Sequence, residues 1–254
     1  MTPIGVATGC RPMTAKPPND DFRFSLAARL GIGFTTALLW LLLIGMAGGT
    51  AAVLMDGEWI AALVLGVTVA FFVPLAGIVL RDCRMKWGWR VSLGAGEAWL
   101  RLPHGRLLFG PAPALSGPLA YASIKAIEWR EEATHAMGLT TINRVYAIRL
   151  KSRGVILIGE DRPIPKTLDY TTLAGDAARA LARKAGTGMR QLPLARGDGG
   201  FLTLWGASRP DWPGAEGADQ ISEADERAIR RSVWITQMLP VFAFAIVQLV
   251  LMLP

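Results

Sequence analysis

Three runs without a single Asp, Glu, Lys or Arg constrain this chain more than any motif in it: Leu30–Met55, Trp59–Leu80 and Val233–Pro254. Each is at least 22 residues long. A helix rising about 1.5 Å per residue needs about 20 apolar residues to cross about 30 Å of hydrocarbon. A helix of a soluble protein normally shows a charged face over such a length. The runs locate the excess behind a composition that is 52% hydrophobic over 254 residues, and they predict three transmembrane helices.

The formal charge of +7 is read by position. The connection between the first two runs, Asp56–Glu58, has no cation, whereas Arg11, Lys16, Arg23 and Arg29 precede the first run. Arg81, Arg84, Lys86 and Arg90 follow the second, and Arg227, Arg230 and Arg231 precede the third. Cationic flanks stay on the cytoplasmic side. The N-terminus and residues 81–232 are therefore predicted inside, and Asp56–Glu58 and the C-terminus outside, a multi-pass arrangement suited to a bacterial cytoplasmic membrane. Arg81, Arg84, Lys86, Arg90, Arg230 and Arg231 form a predicted collar at the inner surface, attracting anionic lipids without selecting one.

Tryptophan favours the headgroup level because its ring is apolar and its N–H is not. Trp59 opens the second run, Trp87 and Trp89 follow it, and Trp234 opens the third, so these four are the expected interfacial anchors. Small residues recur at four-residue spacing, Gly45 and Gly49 in the first run and Ala62, Gly66 and Ala70 in the second. That spacing lets helix backbones approach, and it predicts a packed hairpin over residues 27–81. No ionisable side chain lies within the runs, so transport by this chain alone is not expected.

From Trp87 onward the pattern shifts to short alternating stretches broken by turn residues. Trp89, Val91 and Leu93 alternate before "GAGE", and Ala98, Leu100 and Leu102 before "HG". Leu107–Phe109 reads as a third strand ahead of the loop "GPAPALSGP". "SIKAIEWREE" places Ile127 and Trp129 on one face, and "RVYAIRL" and "VILIG" flank "KSRG" as a hairpin. "LDYTTLAGDAARALARKAG" is a helix with Leu173, Ala177 and Leu181 on its apolar face and Gly186 at its end. The Gly- and Pro-containing stretch 187–221 reads as a flexible linker, and residues 1–26 as a disordered cytoplasmic tail. Ser222, three before Asp225, caps a helix over 222–254 that continues into the third run.

The order of "YASIKAIEWRE", a paired hairpin and a closing helix resembles the pleckstrin-homology-like (PH-like) domain that some bacterial membrane proteins attach to transmembrane helices. The resemblance covers about residues 87–186 and the two runs before them. It implies an α+β membrane protein, a cytoplasmic antiparallel β-barrel of six or seven strands closed by a C-terminal helix. It also implies a protein-interaction or assembly role. The turn "GAGE" lacks the cations with which lipid-binding relatives grip inositol phosphates, which argues against that ligand.

Reactive constellations are not legible. His104 and His135 have no ligand-spaced partner, and Cys83 and Cys10 form no CxxC pair, so no metal, cofactor or disulfide is expected. Glu131 and Glu132, adjacent on a strand, should face opposite ways rather than act as a pair. Residues 81–232 hold 23 cations and 16 acids, with the excess beside the membrane, so nucleic acid is not an expected partner. The expectation is a non-catalytic interaction or scaffold module with protein partners in the membrane, homo-oligomerisation being left open. The alternatives are an accessory subunit of a membrane enzyme or transporter and a lipid-sensing domain.

Overall fold

A computed structural model describes residues 20–107, 112–136, 139–163, 171–197, 211–213, 222 and 224–233. The chain is α+β, with two long apolar helices and two largely antiparallel sheets. Helix α1 (Leu26–Met55) and helix α2 (Trp59–Gly88) are each 30 residues long and are joined by the turn at Asp56–Glu58. Only 6% of the most apolar 18-residue stretch of each is buried, and Phe34, Leu41, Val67 and Phe71 stand exposed along them. A core helix would bury most of that surface. Both are long and apolar enough to cross a membrane. The third uncharged run lies outside the described residues, apart from Val233.

The seam between α1 and α2 follows a seven-residue period. Thr36, Leu43 and Thr50 line it on α1, and Ala62 and Ala76, fourteen apart, line it on α2. Seven residues make nearly two turns, so residues at that spacing fall on nearly the same face of a helix. Of the small residues expected at the contact, Ala62 is buried, and a Cβ on Gly66 would sit 3.8 Å from the Thr50 methyl. Gly45, Gly49 and Ala70 are not at the seam: Ala70 and Gly45 are exposed, and nothing lies within 4 Å of a Cβ placed on either glycine. Four-residue spacing groups residues on one face but does not say which face meets the partner.

The first sheet runs β1 (Asp21–Arg23), β2 (Arg90–Leu93), β3 (Glu97–Leu102), β4 (Leu115–Ala120), all antiparallel neighbours in that order. Two expectations change here. Residues 21–23 of the tail read as disordered form an edge strand. Of the third strand expected at Leu107–Phe109, Leu108 and Phe109 lie outside the described residues, and the next described strand is β4, which begins inside the stretch read as a loop. Pro118 has no N–H to give a ladder, which argued against a strand. It is tolerated because β4 is the sheet's outer edge.

The second sheet centres on the long hairpin of β5 (Ile124–Ala136) and β6 (Leu139–Leu150), with β7 (Val155–Asp161) beyond β6. β8 (Met189–Gln191) and β9 (Ala195–Gly197) add to β5 in parallel, so the start of the stretch read as a flexible linker is sheet. These short strands lay below the length at which alternation becomes readable. Helix α3 (Leu173–Ala185) ends at Gly186, whose φ of 63° supplies the left-handed cap expected there. One apolar core joins both sheets and α3: Val91, Leu100 and Leu102, with Ile127, Ile148 and Ile158, and with Ala177 and Leu181. Trp129 packs half-buried against it, as its inward position predicts.

Further along the same face of the second sheet, helix α4 (224–233) covers Ala133 and Ile142 with Ile229. Ser222 caps it as expected: its Oγ accepts from the Asp225 N–H at 3.2 Å and donates to the Asp225 carboxylate at 2.6 Å. The opposite face of the sheet packs Val145 and Leu157 against Leu107, Ala112 and Trp212. Both faces of β5 and β6 are thus covered, and the charges on them are covered too.

Candidate functional site

The C-terminal end of α2 is built into the β-domain. Met85 and Trp89 are buried in the main core, and the Trp89 indole donates to the Ile158 carbonyl at 2.9 Å. Trp89 was expected at the lipid interface. It is a core residue instead, because the helix ends at Gly88 and the next residue turns inward as extended chain. Asp82 takes Lys86 at 3.1 Å and Arg162 at 2.8 Å, and Arg162 also holds Glu160 at 2.6 Å. Gly105 has a φ of +78°, and a Cβ there would come within 2.7 Å of the Arg81 side chain. Arg81 and Asp82 therefore help dock the helix onto the domain, while Lys86 pairs with Asp82 within the helix.

The rest of the collar divides. Arg84 and Arg231 are exposed. Arg90 is exposed and pairs with Asp21 at 2.8 Å, the hydrogen bond from Arg90 holding the Asp21 carboxyl below the ordinary range. Arg230 on α4 reaches Glu131 at 3.0 Å and Glu226 at 2.8 Å. Arg90 and Arg230 reach these partners from solvent, where screening leaves such pairs little stabilising effect. Among the anchors, Trp59 and Trp87 are exposed, and the Arg29 guanidinium lies 5.8 Å from the Trp87 ring centre. Trp234 lies outside the described residues.

The densest polar construction lies on the second sheet, on the face away from α3. Glu128, Arg130 and Glu132 alternate along β5, so their side chains share that face, and Arg149 joins them from β6. Their residues are only 1%, 3%, 8% and 7% exposed. Arg149 Nε donates to Glu128 at 2.7 Å, and Arg130 Nε donates to Glu132 at 2.8 Å. Burial alone would raise the Glu128 carboxyl, but hydrogen bonds from Arg149 and Trp212 outweigh it and hold the group below its usual range.

Both arginines also grip the segment Asp211–Trp212–Pro213. Arg130 donates to the Asp211 carbonyl at 2.9 Å, and Arg149 donates to the Pro213 carbonyl at 2.6 Å. Between them the Trp212 indole N–H donates to Glu128 at 2.8 Å, while the Arg130 guanidinium sits 4.5 Å from the centre of its ring. Trp212 precedes a proline, which biases it to extended backbone and presents both flanking carbonyls to the sheet. Glu131, one residue from Glu132, faces the other side with Arg144 and Arg230, the opposed pair expected from the strand.

A second buried carboxylate, Asp161 at the end of β7, caps α3 from outside the helix. Its two oxygens accept from the Ala174 and Gly175 N–H groups at 3.1 and 3.0 Å. Thr172, the cap residue by position, makes no side-chain cap bond. Tyr146 donates to the same carboxylate. Burial pushes Asp161 up to about 6 against these hydrogen bonds, and burial and the carboxylate's charge push the Tyr146 phenol up.

A cavity of about 230 Å³ lies between α4 and the end of the β5–β6 hairpin, lined by His135, Thr140, Arg196, Asp225 and Ser232 among others. His135 Nδ1 and the Thr140 hydroxyl are 2.9 Å apart, and Thr140 is 2.6 Å from the Ser232 hydroxyl. Among the described residues no group of three His, Cys, Asp or Glu is placed to hold a metal ion.

Sequence reasoning missed the clamp on Trp212. The available signal was the sign alternation of Glu128, Arg130 and Glu132 in "IEWREEA", on a strand whose other face is apolar. Alternating charge reads equally as a solvated face, and only the register with Arg149 and the return of Trp212 from more than 80 residues away distinguishes the two. No protein family, curated protein or solved structure matches this chain.

Proposed function

We propose that the chain is a membrane-anchored interaction module without chemistry of its own, in which α1, α2 and the run from Val233 span a bilayer and hold a PH-like β-domain against its inner surface. The observation that carries the reading is that α2 continues without a break from its uncharged stretch into the domain core at Met85, with Trp89 buried one residue past its end. The eight residues from Arg81 to Gly88 form a stalk about 12 Å long. A domain seated on such a stalk has a fixed height and orientation, which suits presentation of a surface to a protein beside it. Two antiparallel sheets and α3 closing one core support the PH-like reading. The parallel strands β8 and β9 extend that pattern.

Lipid attraction is a secondary role, left to Arg84, Arg231 and the exposed Trp87, because Arg81 packs against the domain at Gly105 and Lys86 is paired with Asp82 on its own helix. The test is quantitative co-purification of the full chain from native membranes in mild detergent, against a control keeping the uncharged runs but lacking residues 87–197. Proteins enriched only with the full chain support the module. A stoichiometric enzyme or transporter among them selects the accessory-subunit reading, and identical recoveries from both chains refute the proposal.

A further inference from the structure

We infer that the charged clamp on the second sheet is a recognition site for an extended, tryptophan-bearing peptide, and that this chain's own Asp211–Pro213 occupies it in cis. The inference rests on the interaction-module reading and names the chemistry of its partner: an indole flanked by free backbone carbonyls. The grip is that of a receptor. Two arginines reach the Asp211 and Pro213 carbonyls, which any extended peptide carries, and the indole supplies the one side-chain signature, bound edge-on by Glu128 and face-on by Arg130. Glu132 and Glu128 orient the two arginines by hydrogen bonds at 2.8 and 2.7 Å.

Buried ion pairs give less stability than apolar packing of the same volume, because each charge gives up its hydration. Two such pairs side by side on a strand face are a costly way to close a core. They are an effective way to prepare donors for backbone carbonyls, since guanidinium groups already held in place lose little freedom when a ligand arrives. The occupant adds no strand to the sheet, and its register is set by the tryptophan alone. A tethered occupant has an effective concentration on the order of millimolar. A partner carrying the same signature would have to bind more tightly, or be held nearby by the membrane, to displace it.

The experiment uses the full chain in nanodiscs of neutral lipid, with a dye-labelled peptide copying residues 207–217 as probe and empty nanodiscs as the blank. Anisotropy should show saturable binding to W212A and at least tenfold weaker binding to the wild-type chain, whose site is filled. Adding E128Q to W212A should weaken the probe at least tenfold, because the indole loses its charged acceptor. W212F, which keeps an aromatic ring but loses the five-membered ring and its N–H, serves the same comparison should W212A lose its unfolding transition. Equal binding to wild-type and vacated chains, binding to neither, or indifference to E128Q overturns the inference. Partner capture that persists beside such a result leaves the module reading standing, whereas probe binding without any captured partner removes that reading and keeps the site.

Discussion

Gly175→Ala is the most discriminating substitution in the β-domain, because helix propensity and packing pull it in opposite directions. In an exposed helix the change would stabilise by about 1 kcal/mol. Here the new Cβ would lie 2.7 Å from the Tyr146 hydroxyl, 3.0 Å from its ring carbon and 2.8 Å from an Asp161 oxygen. Tyr146 and Asp161 are both buried and bonded to each other, so neither can swing away without breaking the contact. Losing a hydrogen bond to a charged group costs about 1.5–3 kcal/mol, and forcing a methyl into a filled core about 1–3 kcal/mol. Set against the propensity gain, the net expected loss is about 1.5–5 kcal/mol. For a domain of this size that is a drop of about 5–20 °C in the thermal midpoint of the full chain in detergent, read by near-ultraviolet circular dichroism. Tyr146→Phe removes the obstructing hydroxyl. The double variant should therefore lose about 1–2 kcal/mol less than the sum of the two singles. A neutral or stabilising G175A, or strict additivity in the cycle, would refute the close approach on which the argument stands.

The buried carboxylates give opposite pH signatures. Asp161, raised to about 6, keeps its proton in the folded state where the unfolded chain has lost it, so its contribution falls as pH rises from about 4 to about 6. The domain should be about 1 kcal/mol less stable at pH 7 than at pH 5 from this group, and Asp161→Asn should remove that slope in urea titrations. Glu128 is lowered, so its contribution is complete at neutral pH and is lost as pH falls through its folded value. Glu128→Ala strands Arg149 among buried groups and should cost about 3–5 kcal/mol at neutral pH, with Glu128→Gln milder in a denaturant midpoint. For topology, a periplasmic-type phosphatase fused after Pro254 should be active and one fused near residue 200 inactive, the reverse pattern ending the proposed orientation.

The elements legible in the sequence were those whose physics is local. Hydropathy marked α1 and α2 because the length of an uncharged apolar run is a property of contiguous residues. The alternation of Val91 and Leu93, and of Ala98, Leu100 and Leu102, marked β2 and β3, whose inward residues are all buried. Gly186 marked the end of α3. What could not be read depended on distant partners. Pro118 hid β4 because edge position is a fact of sheet order. Trp87 and Trp89 looked alike, yet one is exposed and the other is 3% exposed, a difference made by where the helix ends and by an acceptor at Ile158. Asp161 caps α3 across a gap of 13 residues, and Glu128 meets Trp212 across 84, spacings that carry no periodic signal.

These distant contacts share a mechanical consequence. β1 ends at Arg23 and α1 begins at Leu26, while α2 ends at Gly88 and β2 begins at Arg90, so at most two residues separate either long helix from a strand of the same sheet. Even a flexible connection of two residues spans only about 8 Å, and these are not free, since Phe24 stacks edge-on against Trp89 with ring centres 5.9 Å apart. α4 packs on the second sheet through Ile229, with Arg230 reaching Glu131 on β5. Two connections this short leave the domain little freedom to rotate against the helix pair. A partner that binds it must either meet the surface already presented or displace something from it. The Asp211–Pro213 segment, held by hydrogen bonds to two carbonyls and one indole rather than by a strand ladder, is the contact on that surface whose release leaves every sheet and helix intact.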